Sequence, residues 1–114
     1  MPLPDVVFLR HMLDAIDRVA DVVSRTTVDH FMADWVTQDA IIRELQILGE
    51  AAGRVTRELA RSHPEIPWTE ITGLRHKLVH DYFVVDLNVV WQTATVDVPA
   101  VRPHIAKLAS EASE

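Results

Sequence analysis

The chain has no cysteine, only three glycines and one tyrosine, and its basic side chains are outnumbered. Without cysteine, disulfide scaffolds, thiolate metal sites and cysteine nucleophiles are excluded together; the redox compartment stays open but agrees with the cytosol. Eleven lysines and arginines face seventeen acids, a formal net charge of −6. That is the reverse of the balance found in proteins that coat nucleic acid, so contact with a polynucleotide is expected only at a local patch, and DNA is not an expected partner. No stretch approaches the ~18 consecutive apolar residues of a membrane helix. The start, MPLPDVVFLR, lacks the basic and then apolar regions of a secretory leader. A soluble, cytoplasmic protein with no membrane partner is expected. What is present in quantity is apolar: 48% of 114 residues, enough for a single domain over 1–114 with its own core.

The apolar residues repeat at helical spacing. Val6, Leu9, Leu13, Ile16, Ala20 and Val23 predict a first helix ending near Ser24, with Asp5 in its first turn. A short helical piece over Val28 to Ala33 follows. Ile41, Leu45, Leu48, Ala52, Val55 and Leu59 then predict a long helix from Asp34, a capping residue, to Arg61, stopped by His63 and Pro64. Arg57 and Arg61 would sit at its negative end. Gly49 and Gly53, one turn apart on that helix, each cost about 1 kcal/mol relative to alanine. The favoured reading is that the GEAAG stretch lets another helix approach closely or lets the long helix bend. A second reading sets Glu50 beside a functional pocket, because an acid among small residues is hard to hide unpaired.

Pro67 suits the first turn of a helix running through ITGLRHKLVHDYF, Asp86 opens the next, and Pro99 the last. FVVD and VDV alternate like strands but are too short to build a sheet. The fold predicted is an all-α, up-and-down bundle of four to five helices.

The usual catalytic constellations are missing: no phosphate loop, no G-x-S-x-G elbow, no HExxH and no EF-hand. LRHKLVHDY stands out, for it gathers Arg75, His76, Lys77, His80 and Tyr82 in an otherwise acidic chain. On a helix, Ile71, Leu74, Leu78 and Tyr82 turn to the core, while His76, Lys77 and His80 point away from it and Arg75 lies at the edge. Imidazole exchanges a proton near neutral pH and guanidinium grips phosphate oxygens. The two suffice, without a metal or cofactor, for attack of an RNA 2′-hydroxyl on the adjacent phosphorus, leaving a 2′,3′-cyclic phosphate. A continuous helix, however, separates Arg75 from His80 by about 140°. Convergence then requires the helix to loosen near His80, the arginine to snorkel, or a second copy to pack across a two-fold axis. His76 and His80 are one turn apart, but no third ligand completes a metal site by local spacing.

Read as a whole, Arg75, four intervening residues, His80, one residue and Tyr82 resembles the signature of HepT toxins in the HEPN superfamily. LQILGEAAGRV, HPEIPW, IxGLRHKLVHDYF and DLNVVW extend the resemblance over roughly residues 5 to 110. It implies a HEPN helical bundle that dimerises with its motifs facing each other and acts as a metal-independent endoribonuclease toxin of a type VII toxin–antitoxin pair. The implied partner is an MntA-type minimal nucleotidyltransferase antitoxin, in a homodimer or larger hetero-oligomer. By position, Arg75 would stabilise the scissile phosphate, His80 would manage the proton, and Tyr82 would accept AMP from the antitoxin. His76 stands where a residue such as asparagine is common, and Lys77 is a candidate for binding the RNA backbone. The alternatives are a non-catalytic module that docks a nucleotidyltransferase, and a purely structural helical dimer.

Overall fold

The structure, a computed structural model, describes residues 3–81 and 84–113, the side chains of residues 79–81 excepted. Its frame is a pair of twenty-residue helices, α1 (Asp5–Ser24) and α3 (Trp35–Arg54), which make the most extensive helix contact among the described residues. Helix α3 buries Ile41, Leu45, Leu48 and Ala52, as the spacing predicts. In α1 the buried stripe is Leu9, Met12, Ile16 and Val19, so the core face passes through Met12 and Val19; Leu13 is half-buried and Ala20 exposed. Between the two, α2 (Val28–Ala33) is capped by the Thr27 hydroxyl and inserts Phe31 into the core, its ring centroid 5.0 Å from that of Trp91. Asp34 caps α3, accepting from the Thr37 amide at 3.1 Å and its hydroxyl at 2.5 Å, and these bonds hold its carboxyl below the usual aspartate range.

The long helix expected over 34–61 is in fact two. Val55 leaves helical geometry at φ −65° and ψ 140°, and α4 (Arg57–Ser62) starts anew under the Thr56 cap. The cause is tertiary. Asp5, at the head of α1, accepts from the Thr56 amide at 2.8 Å and its hydroxyl at 2.6 Å, while that hydroxyl accepts from the Leu59 amide at 3.3 Å. Arg57 and Arg61 therefore belong to α4, and Arg54 is the basic residue in the last turn of α3.

The helix expected from Pro67 through the motif is also interrupted. Helix α5 (Trp68–Thr72) is followed across Gly73 by α6 (Leu74–Leu78), and the chain then turns extended. Strand β1 (Val79–Asp81) pairs antiparallel with β2 (Val84–Val85), Val79 opposite Val85 and Asp81 opposite Val84, so the two valines of FVVD do enter a small two-stranded ladder. Valine's branched Cβ favours this extended pairing over another helical turn.

Asp86 caps α7 (Leu87–Gln92) through the Val89 amide, as expected. The last helix does not begin at Pro99. The chain stays helical from Leu87 through a π-helical turn at Thr93–Asp97 into α8 (Val98–Ala112). Pro99 has no amide to give the Thr95 carbonyl and would crowd it in regular α geometry, which accounts for the wider turn. The Thr95 hydroxyl meanwhile donates to the Trp91 carbonyl at 2.8 Å. Four helical units thus form the predicted all-α bundle: α1, α3, α5 with α6, and the run 87–112. Among the described residues no helix is long and apolar enough to cross a membrane.

Candidate active site

The site is set by how closely α5 meets α3. Gly49 is buried, and a Cβ there would stand 2.9 Å from the Ile71 carbonyl oxygen and 3.8 Å from the Leu74 Cβ. Contact this close between a helix and the carbonyl end of another admits only glycine. The GEAAG stretch thus does permit close helix approach at Gly49. Ile71, Leu74 and Leu78 turn to the core, as the helical spacing predicts.

Burying that stripe leaves Arg75 exposed beside α3. Between the two elements lies a groove of about 480 Å³ lined by Gln46, Gly49 and Glu50 from α3 and by Thr72 and Arg75. Glu50 therefore stands with Arg75 on one groove. Its carboxylate is met by the Arg54 guanidinium at 3.3 Å. Arg75 makes no ion pair or side-chain hydrogen bond with any described residue, and the one carboxylate among the groove's lining residues, Glu50, is paired with Arg54. The Glu50–Arg54 pair also borders a second, smaller recess with Phe8, His11 and Ile47.

The other motif residues are distributed differently. Lys77 lies on the far side of α6, where its ammonium approaches Asp97 at 3.6 Å at the mouth of a mainly apolar groove of about 420 Å³ that Leu48, Leu74 and Val98 help to line. His76 is exposed. The backbone of His80 belongs to β1, two residues past the end of α6, so the 140° separation of a continuous helix does not apply to Arg75 and His80. The His80 side chain and all of Tyr82 lie outside the described residues. Among those residues no group of three histidines or carboxylates is arranged to hold a metal ion. Gln46 and Thr72 were missed by sequence reasoning. The one available signal was that Gln46 stands three residues before Gly49 and so shares its helix face.

A motif arginine on a polar groove, with no ion-pair partner among the described residues, is the local arrangement; the whole chain decides the kinship. A model of the family described as "Ribonuclease HepT-like" matches residues 12–108. The chain belongs to the HepT-like ribonuclease family. Among HepT-like relatives, a protein of Thermococcus cleftensis named "Probable ribonuclease HepT" is 38% identical over 101 residues, covering 89% of this chain and 92% of that protein. A protein of Caldanaerobacter subterraneus subsp. tengcongensis, named as a candidate RNase, is 31% identical over 89% of this chain and 90% of its own length. Another so named, from Methanocaldococcus jannaschii, is 30% identical over 100% of this chain and 99% of its own length. No solved structure matches the chain to a significant degree.

Proposed function

We propose that this HepT-like chain is a metal-independent endoribonuclease, the toxin of a type VII toxin–antitoxin pair. The observation that carries the reading is Arg75, exposed on the groove and unneutralised by any described residue, in a chain with a net charge of −6. A permanent cation with no carboxylate bonded to it among the described residues is suited to an anion from outside, and its planar fork matches two phosphate oxygens.

In this reading a base removes the proton of a ribose 2′-hydroxyl, the oxygen attacks the adjacent phosphorus, and the P–O5′ bond breaks. The leaving 5′-oxygen takes up a proton from an acid, so that a 2′,3′-cyclic phosphate and a 5′-hydroxyl result. His80 handles the proton, and Arg75 stabilises the charge that develops on the phosphoryl oxygens. Two copies of the chain, with their motifs facing, would supply an imidazole to each end of the reaction. The extended backbone after Leu78 supports this, since it frees His80 from a helical position turned away from Arg75.

The proposed control is transfer of AMP from ATP to Tyr82 by an MntA-type minimal nucleotidyltransferase, with release of pyrophosphate. The added phosphate would bring negative charge to the motif and oppose RNA.

The test is cleavage of RNA by purified protein in EDTA. Wild type should give cyclic-phosphate ends, and Arg75→Ala and His80→Ala should each lose at least ~100-fold in rate with the helical circular dichroism unchanged. Equal cutting by all three proteins would mean that the activity is not the chain's own. AMP on the Tyr82 peptide, dependent on the transferase and absent in Tyr82→Phe, tests the control; an unmodified peptide would leave a docking module as the better account.

A further inference from the structure

One residue that lines the Arg75 groove and one just past its lining are not needed for holding the scissile phosphate or moving a proton. The first is Gln46. Its half-buried side chain lines the groove and makes no hydrogen bond with any described residue, so a carboxamide with donors and an acceptor faces the space next to Arg75. The second is Gly53. A Cβ at Gly53 would meet nothing closer than the Thr72 Cγ2 at 3.9 Å, an ordinary van der Waals contact, and the residue is exposed. Unlike Gly49, it is not required by packing against any described residue.

These residues lie on one stripe. Gln46, Gly49 and Gly53 follow at i, i+3 and i+7, and span about 10 Å along one side of α3. Thr72 forms the opposite bank from Gly49 to Gly53. The groove volume of about 480 Å³ falls within the range of small-ligand clefts, ~300–1,000 Å³. A phosphate alone would fill little of it.

We infer that this groove is a nucleotide subsite beside the scissile phosphate, in which Gln46 reads the edge of one RNA base and the bare backbone at Gly53 gives the strand its path out. The inference rests on the ribonuclease reading above and extends it to specificity. With Arg75 on the phosphate, the next nucleotide is carried into the groove, where the carboxamide offers a paired donor and acceptor to the base edge. Such pairs discriminate between bases in nucleic-acid recognition. A side chain at Gly53 would fill the bank opposite Thr72 and narrow the exit.

The experiment uses DNA oligonucleotides carrying one ribose, so that one phosphate is cleavable, with the base on either side of it varied through all four. Wild type should prefer one base at one of the two positions by at least tenfold in kcat/KM. Gln46→Ala should flatten that preference to within about threefold, with the loss falling on KM rather than kcat. Gly53→Leu should raise KM at least tenfold for every substrate while the melting temperature holds. Binding of uncleavable 2′-O-methyl oligonucleotides, followed by fluorescence anisotropy, provides a readout independent of chemistry. If wild type cuts nothing yet binds with a base preference that Gln46→Ala abolishes, the ribonuclease reading fails and the subsite stands. If both variants cut and bind like wild type, the subsite is overturned and the ribonuclease reading stands.

Discussion

The Cβ that an alanine would add at Gly49 falls 2.9 Å from the carbonyl oxygen of Ile71, whereas the one added at Gly53, a turn later, touches only a methyl group at 3.9 Å. Two glycines of one sequence motif thus have opposite standing. Gly49→Ala should force α5 away from α3 and cost about 2 kcal/mol, the usual scale of overpacking. Gly53→Ala should be neutral or stabilise by ~0.4–1 kcal/mol, because its backbone is already helical and alanine restricts the unfolded chain. Thermal melts of the two variants check this; similar melting temperatures would mean that α5 gives way easily.

Glu50 places a carboxylate on the groove that Arg75 shares, with Arg54 alongside at 3.3 Å. Replacing it with glutamine removes a negative charge from the neighbourhood of the RNA phosphate. Glu50→Gln should therefore tighten RNA binding about two- to fivefold at low salt, an advantage that shrinks as screening shortens the reach of the charge. Anisotropy titrations at two ionic strengths measure it. A loss of cleavage with binding intact would instead give Glu50 a part in the proton transfers.

Helices α1 and α8 are joined by a two-point ion pair, Arg102 Nε to Asp17 Oδ1 at 2.6 Å and Nη2 to Oδ2 at 3.0 Å. The hydrogen bond from Arg102, with its charge, holds the Asp17 carboxyl below the usual aspartate range and raises the guanidinium. A depressed carboxylate contributes its stability above the unfolded-state pKa and loses it as pH falls through the folded-state value. Both side chains are about half exposed, 45% and 52%, so solvent screening limits the coupling to about 0.5–1 kcal/mol. A double-mutant cycle with Asp17→Asn and Arg102→Gln should show that coupling at pH 7 and none in strong acid. Coupling that survives acid would point to packing of the arginine stem.

Thr93 sits at the start of the π-helical turn, 1% exposed, and its hydroxyl has no hydrogen-bond partner among the described residues. A buried hydroxyl without a partner carries a desolvation penalty of about 1–3 kcal/mol. Thr93→Val keeps the shape and removes the polar atom, so the variant should be more stable by about 1 kcal/mol in urea denaturation, with the slope unchanged. A destabilised variant would show that the hydroxyl satisfies a carbonyl released by the wider turn.

The sequence by itself determined the class of fold and the position of the motif. Period-3.6 apolar spacing marked the rods and the buried faces of α3, α5 and α6, while in α1 the buried stripe runs through Met12 and Val19, one residue off the expected Leu13 and Ala20. Asp34 and Asp86 announced helix starts through bonds made within one turn. The family kinship was legible in the same way, from the order and spacing of side chains. Tertiary structure decided where those rods end. Asp5 competes for Thr56 and splits one predicted helix, and the pairing of Val79 with Val85 draws the chain out of helix after Leu78. It also decided that Arg75 and Gln46 share a groove while Lys77 turns to Asp97 on the other side. Local propensity fixes what a segment prefers when it is alone. Partners dozens of residues away decide which helical turns are given up, and no spacing rule along the chain records them.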